Sequence, residues 1–569
     1  MKLGAMEAQG NDETGPRSVN PGGPAVRAYS APRASAFWVG AGIFLSRIAG
    51  LVRESVFAHY FGNSRAADAF KAAIRIPNLL QNMLGEGVLS ASFIPVYSRL
   101  LAEGKEELAG RVAGIVASLL ALVASIVVLI GILMAPALMG ILAPGFPAEV
   151  RDLTIELVRI MFPGAGIFVM SAWCLGILNS HRLFFVSYVA PVLWNVAMIG
   201  TLLGFGHWHS QDSLAVLLAW GSVVGALLQF GIQLPFIYLR KTAEGPAIGA
   251  AIVLAIDTTL APVRQVFRSL GPVVVSRGVV QLSAYIDGVI ASLLGAGAVA
   301  SLSYAQILYL LPISLFGMSV AAAELPEMSR ATGAADEIHG QLRTRLIKGK
   351  RNIAFYVIPS IAGFLILGRH IVAALFQTGH FTAQDTLWVW YILMGSTVGL
   401  LAATWGRLYS SAFYALRDTR TPLYFAIIRV TLTAGLGLLF AFPLRGELSY
   451  VLLNLMRLPK PALPGIDLGL GVVGLTFSAG LSGWIEFLLL RWALQKRIGS
   501  TALPDHYPSK IWAAALCASG AGWGAAHFVH LHFRWADLGA ILAAFGVVYV
   551  GLALAAGIPE ARSLLRRGR

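Results

Sequence analysis

Long apolar runs, separated by short charged or Pro/Gly-rich breaks, follow one another along almost the whole chain. Each run approaches or exceeds the ~20 residues that an α-helix needs to cross ~30 Å of hydrocarbon. We therefore predict an all-α polytopic membrane protein of about fourteen transmembrane helices. The predicted spans are 36–60, 66–98, 108–140, 152–179, 184–206, 212–239, 262–294, 298–328, 350–377, 384–415, 421–443, 465–495, 508–531 and 535–557.

The composition agrees with a membrane protein. Of the 569 residues, 57% are hydrophobic and 12% are charged, whereas soluble domains carry about 25% charged residues. The net charge is +15, but most basic residues flank apolar runs, which indicates topology signals and no nucleic-acid partner. Cys174 and Cys517 lie inside apolar runs, and the histidines lack metal-site spacing, so we expect neither a disulfide nor a metal site.

The distribution of Lys and Arg predicts a bacterial inner-membrane protein with both termini in the cytoplasm. Alternate connections between spans are basic, as is the tail at 558–569, and basic connections stay on the cytoplasmic side. Residues 1–35 are rich in Pro and Gly, so we expect a disordered tail. The basic connection after the eleventh span is an exception, and its centre, Leu448 to Leu458, fits either an interfacial helix or a surface loop.

An internal repeat is visible at the ends of two spans. The second span ends with the segment Pro95 to Arg99, and the eighth ends with the similar segment Pro326 to Arg330. Gly85 precedes the first segment and Gly317 the second, nine or ten residues before the proline. Unless this match is a coincidence, it predicts two pseudo-symmetric six-helix lobes of the same orientation, at 36–240 and 262–497. A separate pair of helices at 508–557 follows them. Transporters built in this way hold their substrate between the lobes, near the bilayer midplane.

Charged side chains inside the spans are the main functional signal, because an ionised group in hydrocarbon is costly unless it meets water or a partner. Arg47, Arg53 and Arg75 are predicted to line a basic cavity. The planar guanidinium fork suits a phosphate or pyrophosphate better than an uncharged sugar or drug. The structural alternative pairs Arg53 with Glu54 or Asp68.

Three charged residues in the second half have separate interpretations. Arg429 and Glu486 are expected to pair across neighbouring helices, which is a structural use of charge. Asp287 in the seventh span is a candidate cation or proton site, because no basic residue lies within its own helix turn.

The chain has no P-loop motif of its own, so energy must come from an ion gradient, the membrane potential or substrate supply. We expect no cofactor, and coupling to a monovalent cation or to the membrane potential stays open. Gly469, Gly471 and Gly474 match a dinucleotide-binding pattern, but they lie in an apolar run and indicate helix packing. An embedded glycosyltransferase or hydrolase is the rival class.

Several motifs, in order from about residue 36 to the C-terminus, resemble the MurJ (MviN) family of lipid II flippases. They are Ser46-Arg47-Ile48-Ala49-Gly50-Leu51-Val52-Arg53-Glu54, Ala67-Asp68-Ala69-Phe70, Ile76-Pro77-Asn78-Leu79-Leu80, Gly85-Glu86-Gly87, Phe93-Ile94-Pro95, Ala143-Pro144-Gly145-Phe146, Leu375-Phe376-Gln377-Thr378-Gly379-His380-Phe381-Thr382 and Phe413-Tyr414-Ala415-Leu416-Arg417-Asp418-Thr419-Arg420-Thr421-Pro422.

This resemblance implies the multidrug/oligosaccharidyl-lipid/polysaccharide exporter superfamily. It implies two six-helix lobes that alternate access around a cationic cavity, with a groove for the lipid tail on the last two spans. The expected activity is transport without covalent chemistry: lipid II, the undecaprenyl-pyrophosphate-linked peptidoglycan precursor, moves from the cytoplasmic to the periplasmic leaflet. Membrane lipids and the peptidoglycan-synthesis machinery are further expected partners.

The resemblance also assigns roles to charged residues of the first two spans, with Glu54 in place of the family's more usual aspartate. By matched position, Arg47, Arg53 and Asp68 would be the essential cavity residues, while Arg75 matches a basic position and Glu86 an acid of the motif. On this basis we expect pyrophosphate capture by Arg47 and Arg53, orientation of these arginines by Glu54 and Asp68, and gating by Glu86 and Arg75.

The chain departs from the family pattern in the eighth span. Gln306 and Ile307 stand where the family usually carries an Asp-Arg pair, so one pyrophosphate ligand is missing at the position of Ile307. We hypothesise that Arg277, the repeat partner of Arg47, supplies the lost charge.

A second departure concerns sodium, which some relatives bind between the seventh and eleventh helices. Asp287 matches the acid of the seventh helix, but the eleventh span offers no carboxylate. A positive Arg429 nearby would also oppose a bound cation.

Three alternatives to lipid II transport remain. The altered eighth span leaves room for an exporter of another undecaprenyl-linked saccharide, and a drug exporter comes third. A non-transporting scaffold for envelope synthesis is the alternative of a different class, and it predicts that the cavity arginines can be replaced without loss.

Overall fold

The computed structural model describes residues 33–239, 248–330, 335–451, 454, 466–529 and 534–567, and these residues form helices and connections without a strand. In chain order the helices are α1 (Arg33–Phe61), α2 (Arg65–Leu84), α3 (Glu86–Ala102), α4 (Glu106–Leu142), α5 (Ala148–Ser180), α6 (Phe184–Phe205), α7 (Gln211–Tyr238), α8 (Ala261–Ser292), α9 (Ala298–Pro312), α10 (Ser319–Ser329), α11 (Ala335–Ile366), α12 (Gly368–Phe376), α13 (Ala383–Thr397), α14 (Leu400–Ala415), α15 (Arg420–Ala441), α16 (Arg445–Tyr450), α17 (Ile466–Ile498), α18 (Tyr507–Phe528), α19 (Arg534–Ala555) and α20 (Pro559–Arg567).

All fourteen predicted segments coincide with helices, and the all-helical membrane class is confirmed. Among the described residues, eight helices are long and apolar enough to cross a membrane, or up to ten if each of two bent pairs is one span. The count of fourteen crossings is therefore not confirmed. Most of the predicted N-terminal tail and of the Leu448–Leu458 segment lies outside the described residues.

Three segments that the sequence predicts as continuous spans are broken or bent. The pair α11 and α12 is bent by 78°, and α13 and α14 by 41°. The second span divides at Gly85 into α2 and α3, and a Cβ atom there would collide with the carbonyl oxygen of Gln81. A side chain does not fit at this break, which explains why glycine occupies it.

The matching position in the proposed repeat is also irregular. Gly317 lies in a π-helical segment, Ile313–Met318, between α9 and α10. A Cβ atom at Gly317 would lie 2.7 Å from Cγ2 of Thr404 on α14. Both glycines of the repeat thus sit where helical geometry changes, in agreement with a repeated unit.

Helix contacts sort the molecule into two bundles. In the N lobe (α1–α7), α5 packs against α2, α4 and α7, while α1 packs against α6. In the C lobe (α9–α17), α17 packs against α13, α14 and α15. Helix α8 contacts helices of both lobes, and α18 packs against α19 and α11. The predicted domain bounds and the lipid-tail groove stay predictions.

Asp418 fixes the start of α15. Its Oδ1 accepts the backbone N–H groups of Arg420 and Thr421, both at 3.0 Å. Its Oδ2 accepts the Thr421 hydroxyl and Nη2 of Arg497, both at 2.7 Å, which ties α15 to the end of α17. Hydrogen bonds from Thr421 and the Arg497 guanidinium together lower the pKa of Asp418 to about 2.

We expect Asp418→Ala to lower the stability of the solubilised protein by about 1 kcal/mol, the usual cost of losing a helix cap. Because the folded-state pKa is lowered, this stabilisation is complete above the ordinary aspartate pKa of ~3.9 and is lost as pH falls towards 2. Thermal unfolding at neutral and acidic pH measures the difference. Asp505→Ala, at an exposed loop carboxylate, is the control, and an equal effect there would contradict the assignment.

Candidate functional site

Arg53 of α1 is held on two sides. Its Nη2 donates to Oε1 of Glu54 at 2.6 Å, and its guanidinium lies 4.6 Å from the ring centre of Trp194 on α6. Trp194 is itself fixed, because its indole N–H donates to the Ser222 hydroxyl of α7 at 3.1 Å. The Arg53 side chain keeps 16% of its surface exposed, so this oriented cation is not fully enclosed by the helices around it.

Lys71 of α2 completes this cluster, although the sequence assigned it no role. Its ammonium donates to Oε2 of Glu54 and lies 4.2 Å from the ring centre of Phe57. It also lies 5.2 Å from the ring centre of Tyr304, which belongs to α9 in the C lobe. The available signal was a lysine inside an apolar span. The contacts of Lys71 could not be predicted, because the sequence does not show which helices pack together.

Asp68 requires a correction. The sequence expected it to orient an arginine, but its buried carboxylate accepts the backbone N–H groups of Gly297 at 2.5 Å and Ala300 at 2.8 Å. These groups form the N-terminus of α9, where unpaired N–H groups and the helix dipole favour a negative charge. Gly297 has no side chain with which to cap α9, so a carboxylate of the N lobe caps a helix of the C lobe.

Asp68 belongs to a larger contact between the lobes, which we call the interlobe seam and define by Gly62, Asp68, Gly297, Tyr304 and Gly379. The Tyr304 hydroxyl donates to the carbonyl of Gly62 at 2.9 Å. The backbone N–H of His380, the residue after Gly379, donates to the carbonyl of His59 at 2.8 Å. The seam is closed in this structure, largely through backbone groups.

Three glycines allow this approach. Gly62, Gly297 and Gly379 have φ values of +56°, +81° and +54°, which L side chains rarely adopt. A Cβ atom at Gly62 would collide with the carbonyl of His380, and one at Gly379 with the carbonyl of His59. Sequence reasoning missed this feature, because a glycine in a connection does not indicate what lies opposite it.

Arg75 makes its described hydrogen bonds in the contact between the lobes, and its predicted place in a substrate cavity stays a prediction. Its Nη2 donates to the Ser303 hydroxyl of α9 at 3.1 Å, and its carbonyl accepts the Tyr285 hydroxyl of α8 at 2.5 Å. Arg75 therefore joins α2 to α8 and α9 in the contact between the lobes. This position is compatible with the expected gating role, which stays a prediction.

The other predicted site residues are only partly described. Arg47 is exposed on α1, about two turns before Arg53. The side chains of Glu86 and Arg277 lie outside the described part of the chain, so their predicted roles have no structural counterpart here.

Asp287 of α8 lies within electrostatic reach of two cations, Arg75 and Arg429. Its Oδ1 is buried and has no hydrogen-bond partner among the described residues. The expected pair of Arg429 and Glu486 is present, at 3.3 Å between α15 and α17. No group of three or more His, Cys, Asp or Glu side chains suited to a metal ion occurs in the part of the chain that the structure describes.

Comparison with known proteins agrees with this architecture. The model of the family described as "Lipid II flippase MurJ" matches residues 57–449. A lipid II flippase MurJ of Burkholderia cenocepacia is 29% identical over 529 residues, which cover 89% of this chain and 94% of the relative.

Two solved structures share the fold. A lipid II flippase MurJ in an inward closed conformation superposes with a TM-score of 0.70 at 22% identity, over 91% of this chain and 98% of the other. An inward-facing MATE multidrug transporter of the MOP superfamily superposes with a TM-score of 0.58 at 17% identity, over 82% of this chain and 100% of the other.

We expect Gly379→Ala to open the interlobe seam, because the new methyl group would meet the His59 carbonyl. Such an overlap costs about 1–3 kcal/mol, and about 1.4 kcal/mol corresponds to a factor of ten. A cysteine at buried Ser301, in a chain with Cys174 and Cys517 replaced by serine, should therefore react about tenfold faster with a thiol reagent.

Gly104→Ala is the matched control for this substitution. Gly104 also has a positive φ, +71°, but no neighbouring atom lies within 4 Å of the place that its Cβ atom would occupy. It therefore reproduces the backbone strain without the collision. Equal labelling rates in Gly379→Ala and Gly104→Ala would contradict a seam that depends on close approach.

Proposed function

The chain belongs to the MurJ family of lipid II flippases, and from this premise we propose that it moves lipid II from the cytoplasmic to the periplasmic leaflet by alternating access. The observation that carries the proposal is the Arg53 cluster, which consists of Arg53, Glu54, Lys71 and Trp194. It presents an oriented arginine beside a closed contact between the two lobes. The proposal concerns binding and movement, so no step in it makes or breaks a covalent bond.

The basic connections support a topology with both termini in the cytoplasm. In that orientation α1 ends and α2 begins at the periplasmic surface. The interlobe seam, which includes Gly62 between these helices, is then a periplasmic closure. Substrate enters from the cytoplasmic side while the seam is closed and leaves after the seam has opened.

Arg53 is suited to capture the pyrophosphate of lipid II. A guanidinium stays charged and offers paired donors to phosphate oxygens. Glu54 and Trp194 hold Arg53 in place, so little side-chain entropy is lost when the headgroup binds. Exposed Arg47 on the same helix, and Arg277 in the hypothesis of a replaced ligand, would add positive charge around the headgroup.

Asp68 supplies the gating contact. Opening the seam breaks two hydrogen bonds between its carboxylate and the N-terminus of α9, each worth about 1.5–3 kcal/mol for a charged group. Water entering the opened seam can solvate both partners and offset much of this cost. The closed conformation is thus stabilised by a contact that hydration can replace, which suits a gate.

The surroundings of Asp287 do not suit a sodium ion. Asp287 offers one unpartnered carboxylate oxygen, but Arg75 and Arg429 already place positive charge near it. A Na⁺ ion would need further oxygen ligands against this repulsion. We therefore include in the proposal that Asp287 balances these arginines, and that the membrane potential or substrate supply drives transport.

Export of another undecaprenyl-linked saccharide is the second candidate. Gln306 and Ile307 of α9 leave the eighth predicted span without the basic ligand expected from the family resemblance. The pyrophosphate chemistry at Arg53 would be the same for both substrates, so a direct test must separate them.

Complementation of a strain depleted of its lipid II flippase makes this test. We expect wild type to restore growth and Arg53→Ala to fail at equal membrane expression, because the pyrophosphate loses its oriented cation. Arg65→Ala, at an exposed arginine of α2, is the control and should restore growth. Failure of well-expressed wild type would favour another saccharide, and rescue by Arg53→Ala would contradict the arginine mechanism.

Arg277→Ala tests the replaced ligand in the same strain. Loss of rescue is expected if Arg277 supplies the charge missing at Ile307. Normal growth with Arg277→Ala, while Arg53→Ala fails, would show that Arg277 does not replace that ligand.

Replacement of Na⁺ by K⁺ tests the coupling. We expect the rate of lipid II transport into proteoliposomes to be the same in both salts at equal membrane potential. A rate that rises with Na⁺ concentration in wild type, and loses this dependence in Asp287→Asn, would overturn our interpretation of Asp287.

A further inference from the structure

Lys71 is a buried charge that fold stability does not explain. Only 7% of its side-chain surface is exposed, and its partner Glu54 is 8% exposed. Replacing a buried ion pair with apolar residues of similar size is often neutral or stabilising. The pocket around Lys71, with the rings of Phe57 and Tyr304, would accommodate an apolar side chain.

The charges of Arg53, Glu54 and Lys71 together indicate a role for Lys71. Each carboxylate oxygen of Glu54 has its own cation, with Oε1 on Arg53 and Oε2 on Lys71. The three groups together carry a net charge of +1. Without Lys71, Glu54 would neutralise Arg53, and an incoming anion would meet a site with no net charge.

We propose that Lys71 is a positioning residue that neutralises Glu54, so that Glu54 can orient Arg53 without cancelling its charge towards an anionic lipid headgroup. This inference rests on the proposed function, because it concerns the same captured pyrophosphate. It adds a residue that never touches the substrate and acts through Glu54.

The position of Lys71 also makes this effect depend on conformation. Tyr304 belongs to the C lobe, and its hydroxyl closes the interlobe seam on Gly62. Lys71 therefore contacts the Tyr304 ring only while the seam is closed. When the seam opens, water reaches Lys71 and the local dielectric constant rises, so its influence on Arg53 weakens. Headgroup affinity is then highest before opening and lower afterwards, which favours release.

Binding of lipid II to the full-length protein in nanodiscs tests the proposal, with undecaprenol as the uncharged probe. We expect Lys71→Met to weaken lipid II binding about tenfold, as the loss of one partly screened charge implies, with undecaprenol binding unchanged. Lys71→Arg should bind as wild type does. The double variant Lys71→Met/Glu54→Gln should recover most of the loss, because it restores the net charge of +1.

Lys350→Met is the matched control. Lys350 is also a buried lysine beside aromatic rings, 5.1 Å from Trp405 and 5.9 Å from Tyr409, and it donates to the Thr501 carbonyl at 2.9 Å. It lies in the C lobe, outside the Arg53 cluster. We expect its replacement to leave lipid II binding unchanged. If Lys71→Met does not fold, Lys71→Gln is measured in its place, since it is uncharged but still donates to Glu54.

The outcomes separate the two proposals. Wild-type affinity in Lys71→Met, or no recovery in the double variant, would overturn the role of Lys71 while the function stands. An equal loss for lipid II and undecaprenol would also overturn it, because that result indicates altered packing. Wild-type affinity in Arg53→Ala would reject pyrophosphate capture by Arg53 and the role of Lys71 with it.

Discussion

A charge inside a membrane must have a partner or water, and this constraint organises the structure between the two lobes. Glu54 has two cations, Asp68 has the N-terminus of α9, and Arg429 has Glu486. Because some of these partners belong to different lobes, satisfying the charges also brings the lobes together. The groups that hold the closed conformation therefore include charges that need another partner once the lobes separate.

The sequence was sufficient for features that depend on local composition. Run length gave the positions of the helical segments, and the cost of burying charge singled out Arg53, Glu54 and Asp68. It was insufficient wherever a residue depends on a distant partner. Asp68 looks like a companion for arginine until α9 is placed beside it, and Lys71 has no evident role until Glu54 and Tyr304 surround it. The break at Gly85 was missed although Gly85-Glu86-Gly87 interrupts the apolar run, because isolated glycines also occur inside continuous membrane helices.

The roles proposed for Arg53 and Asp68 are the two that a flippase requires, headgroup binding and closure. Arg53 keeps part of its surface exposed, as its proposed role requires, whereas Asp68 is buried and its partners are backbone groups of the opposite lobe. Glu54 and Lys71 connect them, since Glu54 binds both Arg53 and Lys71, and Lys71 shares a helix with Asp68 and contacts Tyr304 of the seam. The proposed sites of substrate recognition and of closure are therefore neighbouring parts of one packed region.

The interlobe seam is made mainly from peptide groups, whose chemistry is the same at every residue. Side chains around it can change without altering the closure, provided that Asp68 and Tyr304 keep their hydrogen bonds and the three glycines keep the space they need. The proposed headgroup site at Arg53 depends on side chains instead, those of Arg53, Glu54 and Trp194. Under the proposed function, side chains around Arg53 that do not contact the seam are therefore free to vary with the headgroup, whereas Lys71 is tied to both because it contacts Tyr304.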